Sequence, residues 1–345
     1  MLASGGEANW LAAPGGRNRA SSRSKASGLR TNLTTLQWSI TVGYNCVVCV
    51  KQVPDTKRIT GEAMREDGTV NRAALPAVFN PEDLNAVEEA LAIRDRFGGT
   101  VTVLTMGLPA ACEILRESLY RGVDRVVLIT DRRAAASDTL ATSYILSCAV
   151  KKIGADMVLC GRQAIDGDTA QVGPQLAQKL GFTLITYLEE LVDLSGKRIK
   201  VKRNVGNGFE VVSADLPVLA TVMDTANTPR PRAARKMMKY KKALCPAESA
   251  KKVEEQLGAD SAAELKAVEN KKCCGELSAK GLLIEQWNLD DIGADLTWCG
   301  MSGSPTKVHR IQSVVLTGGA YKEYPPSEDG VAQLIGELIE DHTIG

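Results

Sequence analysis

Residues 157–174 read MVLCGRQAIDGDTAQVGP. The apolar run Met157 to Cys160 passes directly into a stretch holding three glycines, two aspartates, two glutamines, a threonine and a proline. A short, continuous aliphatic run is the pattern of a strand covered on both faces, and Ala170 to Leu180 beyond the polar stretch reads as a helix. Strand, polar loop, helix is the repeating unit of a parallel α/β sheet. Three earlier runs fit the same unit: Asn45 to Val50, Val101 to Thr105 and Arg125 to Ile129.

The segments between these runs carry helix signals. Asn80 is an N-cap type, Pro81 suits the first helical position, and Glu82 and Asp83 follow in the first turn, where the helix dipole favours negative charge. Leu84, Val87 and Leu91 then form an apolar stripe that Gly98-Gly99 ends. A second helix is expected from Ser137, with Leu140, Tyr144 and Cys148 on one face. Alternating strands and helices require right-handed crossovers, so the expected fold is α/β, a doubly wound, mostly parallel sheet.

After residue 186 the pattern changes. Lys197 to Arg203 alternates strictly, Gly206-Asn207-Gly208 is a turn and Phe209 to Val212 returns, which predicts an antiparallel hairpin with solvent-facing lysines. Leu216 to Val222 reads as a further core strand. Arg230 to Lys242 holds many Lys and Arg and no acid, as a solvated loop or a docking surface would. Residues 248–272 have helical spacing, and Val331 to Ile339 is an amphipathic helix. These breaks give an N-terminal extension at 1–43, an α/β domain at 44–243, a helical insertion at 244–282 and a C-terminal arm at 283–345, expected to pack on another chain. The extension is basic and rich in Ser, Gly and Ala, as an organelle transit peptide or sequence upstream of a misplaced start would be.

Composition narrows the function. The 42 basic and 41 acidic residues leave a net charge of +1, and aromatic residues are few, so nucleic-acid binding is not expected. No stretch reaches the roughly 18 apolar residues of a membrane-spanning helix. Two histidines, His309 and His342, leave little scope for imidazole chemistry or metal ligation, and neither a catalytic side chain nor a metal set is assigned. Nine dispersed cysteines in a core-rich chain favour a reducing compartment, the cytoplasm, or the mitochondrial matrix if the extension is a transit peptide. Cys46 and Cys49 have redox spacing, but on a strand they point to opposite faces.

Open parallel sheets bind ligands beyond the carboxyl ends of their strands. The loops concerned carry Lys51 to Asp55, Met106 to Pro109 and the stretch from Gly161. Neither G-x-G-x-x-G nor a P-loop occurs, yet backbone amides and a helix N-terminus can hold a phosphate without either. Gly161 and Gly167 permit close approach of a ligand, Asp168 and Thr169 are N-cap types, and Gln163 and Gln171 suit ribose or phosphate contacts. A polar loop that only caps its helix fits the same residues.

Several of these stretches together closely resemble the beta subunit of electron transfer flavoprotein. They are Val47 to Asp55, Asn80 to Asp83 leading into Ala86 to Leu91, Leu104 to Gly107, Asp138 to Thr142, Gly161 to Pro174, and Lys200 to Arg203 leading to Leu216 to Ala220. The resemblance covers residues 45–243 and resumes at 283. It implies a Rossmann-like adenine nucleotide alpha-hydrolase-like sheet, paired with an alpha subunit that carries FAD. The nucleotide is then expected on Cys49, Lys51, Asn80, Pro81, Asp83, Met106, Gly107, Gly161, Gln163, Ala164, Asp166, Gly167, Asp168, Thr169, Ala170, Gln171 and Val172. Conventional members hold AMP there; FixA-like and bifurcating members hold a second FAD, and the small Gly167 and Ala170 favour FAD here. The expected activity is transfer of electrons from NADH through flavins to a FixC-like quinone oxidoreductase or acyl-CoA dehydrogenase and to ferredoxin or flavodoxin. Two alternatives stay open: a conventional AMP-holding carrier, and a non-redox nucleotide-binding regulatory protein. Arg230, Arg232, Ala234, Arg235 and Lys236 match the segment by which conventional members dock to dehydrogenases, although Ala234 stands where a larger anchor is expected. The 244–282 insertion departs from the family pattern.

Overall fold

The computed structural model of the protein describes residues 43–55, 75–258, 261–306 and 322–340, so the expected extension at 1–43 lies almost wholly outside them. The chain begins with strand β1 (Tyr44–Cys49), a short antiparallel pair β2 (Gln52–Pro54) and β3 (Ala77–Phe79), and helix α1 (Pro81–Phe97). Next come β4 (Gly99–Met106), α2 (Cys112–Arg121), β5 (Arg125–Ile129), α3 (Thr139–Ile153), β6 (Met157–Gly161) and α4 (Val172–Leu180). Then follow β7 (Thr183–Ser195), β8 (Arg198–Asn204), β9 (Phe209–Asp215), β10 (Val218–Val222) and α5 (Ala234–Tyr240). The remainder is α6 (Pro246–Leu257), α7 (Ala263–Ala279), β11 (Glu285–Trp287) and α8 (Glu328–Glu340).

Nine strands form one sheet in the order β11-β5-β4-β1-β6-β10-β7-β8-β9. From β11 to β7 neighbours run parallel, and β8 and β9 close the far edge antiparallel. This is the doubly wound, mostly parallel sheet expected. The chain builds β4 and β5 outward on one side of β1 and then crosses to β6 on the other, so strand order reverses between β1 and β6.

Strand periodicity splits the core into two layers. Cys46, Val48, Val101, Val103 and Leu159 pack with Ala86, Val87, Ala90 and Leu91 of α1 and with Ile114 and Leu115 of α2. On the opposite face Val47, Cys49, Leu104, Val127 and Val158 pack with Ile145 and Ala149 of α3 and Leu176 of α4. Cys46 and Cys49 therefore do lie on opposite faces, buried as small apolar residues.

Three local expectations are corrected, and one strand had no sequence signal. The strand expected at Leu216 starts at Val218. Strand β7 has no clean alternation to read. Its first half pairs with β10 and its second with β8, and the register shifts between Leu188 and Glu190 and again between Leu191 and Asp193. Helix α3 is capped by Asp138, whose carboxylate accepts the Ala141 N–H at 2.9 Å, while Ser137 donates back to Ala134. The buried face of that helix is Ala141, Ile145, Ala149 and Val150, and Leu140, Tyr144 and Cys148 are only half-buried beside it. Within the basic stretch 230–242, residues 234–240 form a helix, not a loop.

The 244–282 stretch forms the helix pair α6 and α7. The arm begins within this chain's own fold: β11 pairs with β5, and Trp287, Leu289, Ile292 and Cys299 join the second core layer. Helix α8 instead exposes Val331, Leu334, Ile335 and Ile339. No helix among the described residues is long and apolar enough to cross a membrane.

Candidate functional site

The crevice between the ends of β1 and β6 is built by the first turn of α1. Asp83 is buried, and its carboxylate joins the two strand ends: Oδ2 accepts the Lys51 N–H at 2.8 Å and Oδ1 accepts the Gly161 N–H at 3.0 Å. Burial pushes this carboxyl up to about 7. The charge of Glu82 adds to the rise, and the hydrogen bonds from Asn80, Lys51 and Gly161 oppose it. Asn80 occupies the N-cap position, but its side chain does not cap the helix. It donates to the Gln163 carbonyl at 2.9 Å and accepts the Ile165 N–H at 3.2 Å, so it clamps the 161–166 loop instead.

Glu82, expected only to complement the helix dipole, extends the clamp. Its carboxylate accepts Arg162 Nη2 at 2.7 Å and the Gln163 N–H at 2.8 Å. Glu82 and Arg162 lie in the two stretches the resemblance points to but are not among the named nucleotide contacts; the dipole alone already accounts for an acid at Glu82. Thr139 was also missed; at the first turn of α3 it donates to Gln171 Oε1 at 2.9 Å, which joins the entries of α3 and α4. Lys51 Nζ lies 2.8 Å from Asp166 Oδ1, half-exposed.

Two roles expected of the loop change. A side chain at Gly161 would place its Cβ 2.5 Å from Asp83 Oδ1 and 2.7 Å from the Asp83 backbone nitrogen, so this glycine serves the chain's own close approach rather than a ligand's. Gly167 differs: a Cβ there meets nothing within 4 Å. Helix α4 starts at Val172, with Gln171 rather than Asp168 or Thr169 at its N-cap and no side-chain cap bond. The Gly167 and Asp168 N–H groups both turn back to the Ala164 carbonyl.

Residues 168–171 instead take an anion-binding shape. Asp168 and Ala170 have φ of +49° and +52°, separated by a residue with negative φ, and Gln171 returns to the right-handed region. Alternation of this sign is the φ pattern of a nest, in which successive N–H groups turn toward one point and accept negative charge. The N–H groups of Thr169, Ala170 and Gln171 make no hydrogen bond among the described residues. Left-handed Asp and Ala cost about 1 kcal/mol or more each, and strain of this sort gathers at ligand sites.

The structure thus brings Lys51, Asn80, Asp83, Gly161, Gln163 and Asp166 together in one hydrogen-bonded unit and places Gly167 to Val172 at its mouth. Pro81 is exposed at the helix start. Cys49 lies opposite Cys160 in register, and the hydrogen bond between the thiols, with burial, keeps Cys160 protonated. Met106 and Gly107 end the next strand, where the Gly107 N–H is bonded to Ile129. Of the docking candidates, Arg230 is held on α1 by Glu88 and Asp95, whereas Arg232, Ala234, Arg235 and Lys236 are exposed. Among the described residues, the groups left free at these strand ends are N–H donors, which suit an anion.

Residues 67–259 match the family model of the electron transfer flavoprotein domain. Over 300 residues, 87% of this chain and 100% of the relative, the chain is 36% identical to electron transfer flavoprotein subunit beta of Clostridium acetobutylicum. It is 40% identical over 273 residues, 77% of this chain and 83% of the relative, to Protein FixA of Azorhizobium caulinodans. To acryloyl-CoA reductase electron transfer subunit gamma of Anaerotignum propionicum it is 46% identical over 303 residues, 86% of this chain and 98% of the relative. With the family domain spanning more than half its length and beta-subunit and FixA relatives matching most of the rest, this chain belongs to the electron transfer flavoprotein family, on its beta-subunit and FixA side.

Proposed function

We propose that this chain is the beta subunit of a heterodimer with an electron transfer flavoprotein alpha subunit, and that it holds FAD in the crevice between β1 and β6. The observation that carries the reading is the nest at residues 168–171, at the strand-order reversal and directly before α4. The N–H groups of Thr169, Ala170 and Gln171 would face the pyrophosphate, with the α4 dipole behind them. Gly167 leaves open space where a side chain would stand, which suits the larger dinucleotide over AMP.

When bound, FAD supplies hydride acceptance from NADH and release of single electrons. The protein's part is to fix the loop: Asp83, Asn80 and Glu82 lock residues 161–165 to α1, so the segment leading into 168–171 is held before ligand arrives. Onward partners are a quinone-linked oxidoreductase or a CoA-ester dehydrogenase, and ferredoxin or flavodoxin. The relative whose name couples electron transfer with acryloyl-CoA reductase supports the CoA-ester partner.

Counting bound nucleotide in the co-expressed alpha–beta complex tests this directly. Two FAD per heterodimer, with flavin bleached rapidly by NADH, is the expected result. One FAD and one AMP, with no response to NADH, would leave the crevice a nucleotide site and reject the flavin. ATP bound by a chain that joins no alpha subunit would reject the electron carrier altogether.

A further inference from the structure

Away from the crevice, two thiols meet where the helical insertion joins the sheet domain. Cys112 is the first residue of α2 and Cys245 the N-cap of α6, and both are fully buried. Their sulfurs and a Glu248 carboxylate oxygen lie within 4.8 Å of one another. Cys245 Sγ accepts the Glu248 N–H at 3.4 Å, and the carboxylate of Glu248 is held by Arg116 Nη1 at 2.9 and 3.0 Å. The N-terminus of α6 therefore points at the Cys245 sulfur, and its dipole favours negative charge there.

The two thiols are not equivalent. The hydrogen bond from Cys112 chiefly, with the backbone N–H groups of Glu248 and Ala247, pulls Cys245 down to about 7, whereas the same bond and burial push Cys112 up. Cys245 is thus the readier nucleophile of the two, and Cys112 stands beside it as the thiol that can resolve an adduct on its sulfur. Access comes through the insertion itself: α6 buries only Ser249 and Val253, and α7 buries no residue. A helix pair held by so little apolar contact opens locally far more often than the core.

We propose that Cys112 and Cys245 form a reversible disulfide that fastens the insertion to the sheet domain, with a low-molecular-weight disulfide as oxidant. The Cys245 thiolate attacks one sulfur of the oxidant and expels its other half as a thiolate, which takes up a proton. Cys112 then loses its proton to solvent and attacks Cys245 Sγ, which expels the second half. The cysteine pair gives up two electrons and the oxidant becomes two thiols. Because Cys245 follows the basic stretch 230–242 and Arg230 is fixed on α1, oxidation pins that stretch at both ends. A metal centre fits less well, since the trio offers three ligands where a closed structural zinc site takes four, and Glu248 is already engaged by Arg116.

The test uses the full chain, freed of reductant and treated with oxidised glutathione, with thiols counted after unfolding. Two of the nine thiols should be lost, one cross-linked peptide should join Cys112 to Cys245, and dithiothreitol should restore all nine. Cys112→Ser should stop at a glutathione adduct on Cys245, and Cys245→Ser should leave Cys112 unmodified. Retention of all nine thiols, a cross-link between other cysteines, or stoichiometric zinc on the pair in the reduced protein would overturn the proposal.

Discussion

Gly161 and Gly167 look alike in sequence, six residues apart in one polar loop, but the fold uses them differently. At Gly161 a methyl group would collide with Asp83, so Gly161→Ala should displace the α1 clamp and cost about 2–3 kcal/mol, read as a lower urea midpoint of the chain alone. Gly167→Ala meets open space at a φ outside the left-handed region and should keep the chain's stability within about 0.5 kcal/mol while weakening nucleotide retention. Equal loss of stability in both variants would show that the loop is not clamped as described. Asp83 adds a pH signature. In the folded chain it keeps its proton to about pH 7, whereas the unfolded chain releases it near the ordinary aspartate value of 3.8. Stability from this group is thus complete below about pH 4 and is lost as pH rises through 7, by up to ~4 kcal/mol in all. In Asp83→Asn that slope should vanish, so the deficit of the variant at pH 5 should shrink by pH 8 in urea titrations. Chemical type made Asn80 and Asp83 legible as a helix start; it could not show that both reach across to a loop some eighty residues later.

Elements were most legible where burial is two-sided. Strands β1, β4, β5 and β6 are continuous aliphatic runs because helices cover both faces, and their limits fall within two residues of the sequence reading. Strand β7 was illegible for the opposite reason: a bulged strand with two kinds of neighbour shows no single period. The basic stretch 230–242 was legible only as charge. Its position comes from α1, where Asn85 donates to the carbonyls of Asp224 and Asn227 and the Glu88 carboxylate takes both the N–H and the guanidinium of Arg230. One helix thus grips the 161–166 loop by its first turn and the leader of α5 one to two turns later. Arg230→Ala leaves the mostly buried Glu88 unpaired and should cost about 1–2 kcal/mol, with faster hydrogen exchange across 224–233. Arg230→Lys should recover only part of this, since an ammonium cannot reproduce the guanidinium fork. Unchanged exchange in both variants would remove α1 as the anchor of that segment.

At the scale of the molecule, the C-terminal arm divides into a part that completes this chain's sheet and a helix whose apolar face stays exposed. Residues 285–306 add a parallel strand to the sheet edge and bury Trp287, Leu289, Ile292 and Cys299, with Arg125 paired to Glu285 and cations of Arg125 and Lys152 over the Trp287 ring. Helix α8 buries only Gly330 and presents Val331, Leu334, Ile335 and Ile339, spaced three, four and eight residues from the first, on one exposed face. Such a stripe is what a helix seated in another subunit's groove displays. Sequence periodicity shows that the stripe exists, but only packing tells which part of the arm the chain needs for itself. Truncation after residue 321 should therefore leave the urea midpoint of the isolated chain unchanged while the yield of alpha–beta complex on co-purification falls. Truncation after residue 282 should destabilise the chain as well, by at least about 3 kcal/mol for the loss of the buried Trp287 and its neighbours. If the shorter truncation lowers stability as much as the longer one, α8 belongs to this chain's own core; if it leaves complex formation intact, the alpha subunit binds elsewhere.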